Sequence, residues 1–186
     1  KIKPLHIEAL AIDGTSSTVL LCDASGKPLS PALMYNDQSC QQEAKQIADI
    51  APADCAAHGA SSSLAKVMSL LKKYPEARYI CHQADWMAGT LTGQYHISDE
   101  NNCLKLGYDL INNCWPNWLN KLNISLEVLP KVEAPGTVTG PLLKVVAEEL
   151  GLSPQCKIVS GTTDSIAAFI ATGAKQPGDA VTSLGS

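Results

Sequence analysis

No two cysteines in this 186-residue sequence stand closer than Cys103 and Cys114, so there is no C-x-x-C pair and no zinc knuckle. The four histidines, His6, His58, His82 and His96, are scattered and form no H-E-x-x-H, so no metal site is expected. The seven cysteines (Cys22, Cys40, Cys55, Cys81, Cys103, Cys114 and Cys156) are an odd number, which argues against a closed disulfide framework. Buried thiols in a reducing, cytoplasmic setting are the simpler reading. G-x-x-x-x-G-K-[ST], G-x-G-x-x-G and G-x-S-x-G are all missing, which removes the main support for Walker-type ATPases, Rossmann dehydrogenases and α/β-hydrolases. No basic run exists and the net charge is −4, so nucleic acid is not expected as a partner. Nor is a membrane, because the apolar stretches fall far short of the ~20 residues that span a bilayer. Lys1-Ile2-Lys3 is followed by no apolar signal region.

What is present describes a packed domain. Hydrophobic residues make up 45% and charged residues 17%, which excludes disorder. Glu8 to Asp13 reads as a buried strand closed by the polar turn Gly14-Thr15-Ser16-Ser17. Val19 to Cys22 and Ala32 to Tyr35 read as two more strands, joined as a hairpin through Asp23-Ala24-Ser25-Gly26. Helices are expected over 39–50, over a segment capped by Ser61 and stopped at Pro75, and over 82–91 before Gly93. Others are expected after Asp99 to Leu106, after Pro116 to Leu122, and over 141–150 with Gly151 past the end. A strand over 157–160, a loop at Gly161–Asp164, a small-residue helix over 165–172 and a strand over 180–184 complete the chain. Strands alternating with helices imply an α/β layer architecture.

Two strand-end loops could carry chemistry. Asp13-Gly14-Thr15-Ser16-Ser17 offers a carboxylate, a glycine that lets a ligand approach, and three hydroxyls suited to a polyol or phosphate. An ordinary Asx or ST turn has the same composition. In Gly161-Thr162-Thr163-Asp164-Ser165 a carboxylate opens a helix after a strand, the place where open α/β sheets bind ligands. Asp164 is placed there either as a general base or as a helix cap. Ser183-Leu184-Gly185-Ser186 has the makings of an anion cradle. Residues alone lead no further than an α/β lobe with polar strand-end loops.

The wording of several stretches goes further. AIDGTSSTVLLCDASGKPLSPALMYND (11–37), SSSLAK (61–66), QADWMAGTLTGQYHISDENNCLKLGYD (83–109), LPKVEAPGTVTGPL (129–142) and GTTDSIAAFIATGAKQPGDAVTSLGS (161–186) follow one another in the order found in a known family. The chain resembles the FGGY-type carbohydrate kinases of the actin-like ATPase superfamily, and its last stretch is most similar to the branch acting on D-ribulose. The resemblance implies an actin-like (ribonuclease H-like) α/β lobe, truncated at both ends, with residues 1–186 part of the N-terminal sugar-binding domain. Asp13-Gly14-Thr15-Ser16 is similar to the family's opening phosphate loop, but it lacks the spacer of D-x-G-T-S and precedes Tyr35-Asn36-Asp37 too closely. By that comparison residues 8–17 are a later strand and sugar-side loop. The opening strands and first phosphate loop are then expected before Lys1, and the nucleotide lobe after Ser186.

Carried over by position, Asp164 matches the catalytic base, Ser16 a sugar contact, and Thr15, Thr162 and Thr163 the lining of the same cleft. Asn36 and Asp37 match a motif beside the site, while Gly185 and Ser186 match a phosphate loop. Asp99 and Asn101 lie in Ser98-Asp99-Glu100-Asn101-Asn102, which matches a structural S-D-x-x-N segment, and Trp86 and Trp118 read as core anchors. The implied activity is transfer of the ATP γ-phosphate to a pentulose, D-ribulose first, D-xylulose or another pentulose next. A catalytically idle sugar-binding or regulatory module is the alternative from another class. ATP and Mg2+ are expected to be held chiefly by regions outside these residues, with sugar and ATP as the small-molecule partners. An exposed sheet edge at Glu8–Asp13 and Val19–Cys22 is expected to invite self-association.

Overall fold

The computed structural model describes residues 3–182 and 184. In chain order it contains β1 (Ala9–Gly14), β2 (Val19–Cys22), α1 (Gln41–Ala48), α2 (Ser63–Lys73), β3 (Tyr79–His82), α3 (Gln83–Thr92), β4 (Ile97–Asp99), α4 (Glu100–Leu104), β5 (Lys131–Glu133), β6 (Val138–Pro141), α5 (Lys144–Leu150), β7 (Lys157–Thr163) and α6 (Asp164–Ala171). Short 3-10 turns occupy Pro4–His6, Asn117–Leu122 and Leu126–Val128.

The sheet that carries the strand-end loops has the order β1-β7-β6, with β1 parallel and β6 antiparallel to β7. Two further ribbons, β2-β3 antiparallel and β4-β5 parallel, flank it. Architecture is therefore mixed α/β, as expected. The expected hairpin exists in reduced form. Leu29 N–H donates to Leu21 O, and single bridges join Cys22 to Pro28 and Val19 to Leu33, without a regular third strand. The edge expected at Val19–Cys22 is absent, because β3 covers one side of β2, residues 28–33 cover the other, and all four residues are buried. β1 does present an edge: among the described residues it pairs only with β7, and its residues alternate between exposed and half-buried.

Local chemistry explains the helices. Ser62, rather than Ser61, caps α2 by accepting from Ala65 N–H at 3.2 Å. The i, i+3, i+4 spacing of Leu64, Val67 and Met68 buries them in the main core with Val19, Leu21, Ile47 and Ile80. α3 begins where Asp85 accepts from both the backbone N–H and the ring Nδ1 of His82, at 2.8 and 2.9 Å. It ends at Gly93, whose φ of 79° a side chain would resist. Pro141 belongs to β6, so α5 starts later than the sequence implied. Lys157–Ser160 extends to Thr163, because β1 goes on pairing with it, Asp13 with Thr162 and Gly14 with Thr163, past the last partner in β6. Residues 180–182 lie in no strand, and Ser183, Gly185 and Ser186 fall outside the described residues. Trp86 donates from Nε1 to Gly26 O at 3.1 Å and Trp118 joins the main core, so both act as half-buried anchors.

The loops at the ends of β1 and β7, at 14–17 and 161–164, share one end of the sheet. Ala11 pairs with Val159, but Asp13 pairs with Thr162, so Ser160 and Gly161 together oppose Ile12. This bulge turns the last residues of β7, and only glycine fits it: a Cβ on Gly161 would stand 1.7 Å from Ile12 O. Beyond the bulge, Gly14 pairs with Thr163 and brings the two loops side by side.

Candidate functional site at the ends of β1 and β7

Asp164 is the first residue of α6, and its helix N-cap is Thr163, not Asp164. The Asp164 side chain is exposed and accepts one hydrogen bond, from Ser165 N–H to Oδ1 at 2.7 Å. Its other oxygen has no protein partner among the described residues. Small residues do not pack α6 closely against the sheet: none of its eight residues, Ala167, Ala168 and Ala171 included, is buried, because the helix leaves the end of the sheet and touches mainly β7 and β1.

Thr162 and Thr163 are buried. Thr162 Oγ1 accepts from Asn101 Nδ2 at 2.8 Å, and Thr163 Oγ1 lies 3.3 Å from Ser165 Oγ. Asn101 is itself placed by Asp99, whose Oδ1 accepts from the Asn101 and Asn102 backbone N–H groups. Burial pushes the Asp99 carboxyl above its ordinary value, against the opposing effect of the Asn102 hydrogen bonds. The S-D-x-x-N segment thus steadies the β7 end from below, as a structural part.

Across from Thr163, Thr15 donates from Oγ1 to Gln83 Oε1 at 3.2 Å, and its Oγ1 lies 2.5 Å from Thr18 Oγ1. Ser16 is half-buried at the tip of that turn. Gln83 is a site-lining residue that the sequence reading passed over. It opens α3 and is exposed, and its Oε1 would lie 3.4 Å from a Cβ on Gly14. Its one signal was its place before the Ala84-Asp85-Trp86 helix start.

Asn36 and Asp37 form the end of a turn closed by Asp37 N–H donating to Met34 O at 2.9 Å. Asp37 Oδ1 accepts from Ser39 N–H and Oγ, and the Ser39 hydroxyl holds its carboxyl below the ordinary range. The hydrogen bonds of this turn run to the 15–18 loop, through Tyr35 N–H donating to Thr18 Oγ1 at 3.0 Å. The structure therefore brings Thr15, Ser16, Thr162, Thr163 and Asp164 to one end of the sheet, with Asn36 and Asp37 joined to the first loop only.

Behind this surface, Ser63 Oγ, His82 and Asp85 form a chain of contacts at 3.1 and 2.9 Å that has the order of a nucleophilic triad. All three are buried, so no substrate reaches the serine, and the chain works as a strut between α2, β3 and α3. Among the described residues no three His, Cys, Asp or Glu side chains converge on a point where a metal ion could sit. The hydroxyls of Thr15 and Ser16 can donate and accept hydrogen bonds, and the exposed Asp164 carboxylate can accept them. Five of the seven cysteines are buried thiols. No helix of the described residues is long and apolar enough to cross a membrane.

The model of the FGGY family of carbohydrate kinases, N-terminal domain, matches residues 1–171. The chain belongs to the FGGY family. A ribulokinase of Geobacillus thermodenitrificans is 27% identical over the whole chain, and a xylulose kinase of Streptomyces rubiginosus is 28% identical over 96% of it. The chain spans only 38% and 39% of the lengths of these two FGGY relatives. The crystal structure of a xylulose kinase from Rhodospirillum rubrum superposes with a TM-score of 0.81 at 23% identity, covering 92% of the chain and 37% of that protein. The fold is that of the actin-like ATPases.

Proposed function

We propose that this FGGY chain is the sugar-binding part of a kinase that transfers the ATP γ-phosphate to a pentulose, D-ribulose first among them. The observation that carries the reading is the pairing of Gly14 with Thr163, which sets the exposed Asp164 carboxylate beside a turn of hydroxyls. In the proposed step a sugar hydroxyl oxygen attacks the γ-phosphorus. The new O–P bond forms as the bond to ADP breaks, and the hydroxyl proton passes to the free oxygen of Asp164. Such transfer asks the protein for positioning more than for covalent chemistry. Thr15 and Ser16 offer hydroxyls that donate and accept, the pattern a polyol needs, and the buried Thr162 and Thr163 support them from the end of β7. Asn36 and Asp37 act by holding the neighbouring turn. ATP, magnesium, and the roles of Gly185 and Ser186 belong to the nucleotide side of the proposal.

D-xylulose is the second candidate sugar, since xylulose kinases stand among the relatives of comparable identity. A panel of D-ribulose, D-xylulose, L-ribulose, glycerol and gluconate, offered with ATP to the full-length protein, tests the reading. ADP formation with D-ribulose at the highest kcat/KM is expected. Preference for D-xylulose would move the assignment to the second sugar. Sugar binding without turnover of any member would identify a non-catalytic sugar-binding module and refute the kinase reading.

A further inference from the structure

Lys66 has no part in the chemistry just described, yet it is fully buried. Its Nζ donates to Ser17 O at 2.9 Å and to Met34 O at 2.7 Å. No carboxylate among the described residues forms an ion pair with it. Burial lowers the pKa of its ammonium, and the charge of Asp37 acts the other way. A buried cation without a close counter-ion is costly, and an apolar side chain of the same length would fill the channel without that cost. The location of its two acceptors explains what the ammonium contributes.

Ser17 O and Met34 O belong to two different turns. The first closes through Thr18 N–H to Thr15 O at 3.3 Å and presents Thr15 and Ser16. The second closes through Asp37 N–H to Met34 O and presents Asn36 and Asp37. Ser17 sits at φ 69°, a left-handed conformation that glycine adopts freely and serine resists. Its Oγ is buried and has no hydrogen-bond partner among the described residues, so the side chain does nothing visible to hold that backbone. The carbonyl of Ser17 is held instead, by Lys66. Thr18 Oγ1, accepting from Tyr35 N–H, is a second tie between the two turns, next to the backbone bridge of Val19 and Leu33 that flanks them.

We propose that Lys66 is a positioning residue for sugar recognition, its ammonium locking the 15–18 turn to the 34–37 turn so that the Thr15 and Ser16 hydroxyls face the sugar in one fixed arrangement. This rests on the sugar-kinase reading. Lys66 touches neither sugar nor nucleotide, and α2, anchored in the main core, supplies the rigid base from which it reaches both turns.

The test uses the full-length protein with the sugar that the wild type phosphorylates best. Lys66→Met keeps the length and apolar stem, and Lys66→Gln keeps a neutral donor on a shorter arm. Sugar KM is expected to rise about tenfold in Lys66→Met, the equivalent of one well-placed hydrogen bond. KM for ATP should stay within about twofold, because the nucleotide does not depend on these turns. Lys66→Gln should fall between the two. An unchanged sugar KM in folded Lys66→Met overturns the inference, as does an equal rise in both KM values. If Lys66→Met does not fold, Lys66→Gln decides by the same criterion, and failure of both to fold assigns Lys66 to the fold alone and overturns it too. A wild type that turns over no sugar defeats the kinase reading, an outcome distinct from an active wild type with an unmoved variant.

Discussion

Replacing Asp164 by Asn separates a catalytic carboxylate from a structural one. The structural contribution is small on geometry: the side chain is exposed and bonds only Ser165 N–H, and Thr163, not Asp164, occupies the cap position. Asn retains an oxygen for that bond. What is lost is a negative charge in the first turn of α6, worth about 0.3–1 kcal/mol at an exposed site and less in salt. That corresponds to a melting shift of no more than about 2–4 °C for a domain of this size. A general base, by contrast, contributes about 10²–10⁴-fold in rate, or about 2.7–5.4 kcal/mol of barrier at 1.36 kcal/mol per decade. The two effects differ severalfold, so kcat, sugar affinity and thermal melting of the full-length Asp164→Asn protein suffice. We expect kcat to collapse while sugar affinity stays within about tenfold, since an amide still bonds a hydroxyl. Near-normal kcat with an unchanged melt would remove Asp164 from the mechanism. A large fall in melting temperature would mean that the carboxylate has a structural role the geometry does not reveal.

Gly161→Ala should be among the most damaging single-methyl additions, because its Cβ would collide with the Ile12 carbonyl inside the bulge; wild-type melting and activity in that variant would refute the bulge. Burial raises the Asp99 carboxyl above its unfolded value, so its favourable contribution is full below about pH 4 and declines as pH rises through the folded value. Asp99→Asn, an equally good cap, should therefore gain on the wild type in melts taken from acid to neutral pH, and parallel curves would refute the assignment. The free edge of β1 should make the chain of residues 1–186 associate when isolated; a single monomeric species by light scattering at high concentration would count against this.

Local chemistry made several elements readable from the residues themselves. The apolar spacing from Leu64 to Met68, the glycines at 93 and 151, and Asp99 ahead of α4 all act within a turn of their own position, so α2 to α5 came close to their observed bounds. The strand-end hydroxyls of both loops were equally visible, since turn residues act locally. β3 was not: Tyr79–His82 is four residues with no period of its own, and it becomes a strand only because distant β2 pairs with it. β4, β5 and β6 escaped for the same reason, each being three or four residues held by a non-local partner. Composition put hydroxyls and a carboxylate into two loops, but nothing local says that the loops meet. That was decided by the parallel register of β1 and β7 and the bulge at Gly161, which set Gly14 opposite Thr163. Lys66 is the clearest case. In sequence it is one cation on an amphipathic helix, and only the packing of α2 against two turns, 49 and 32 residues away, turns its charge inward.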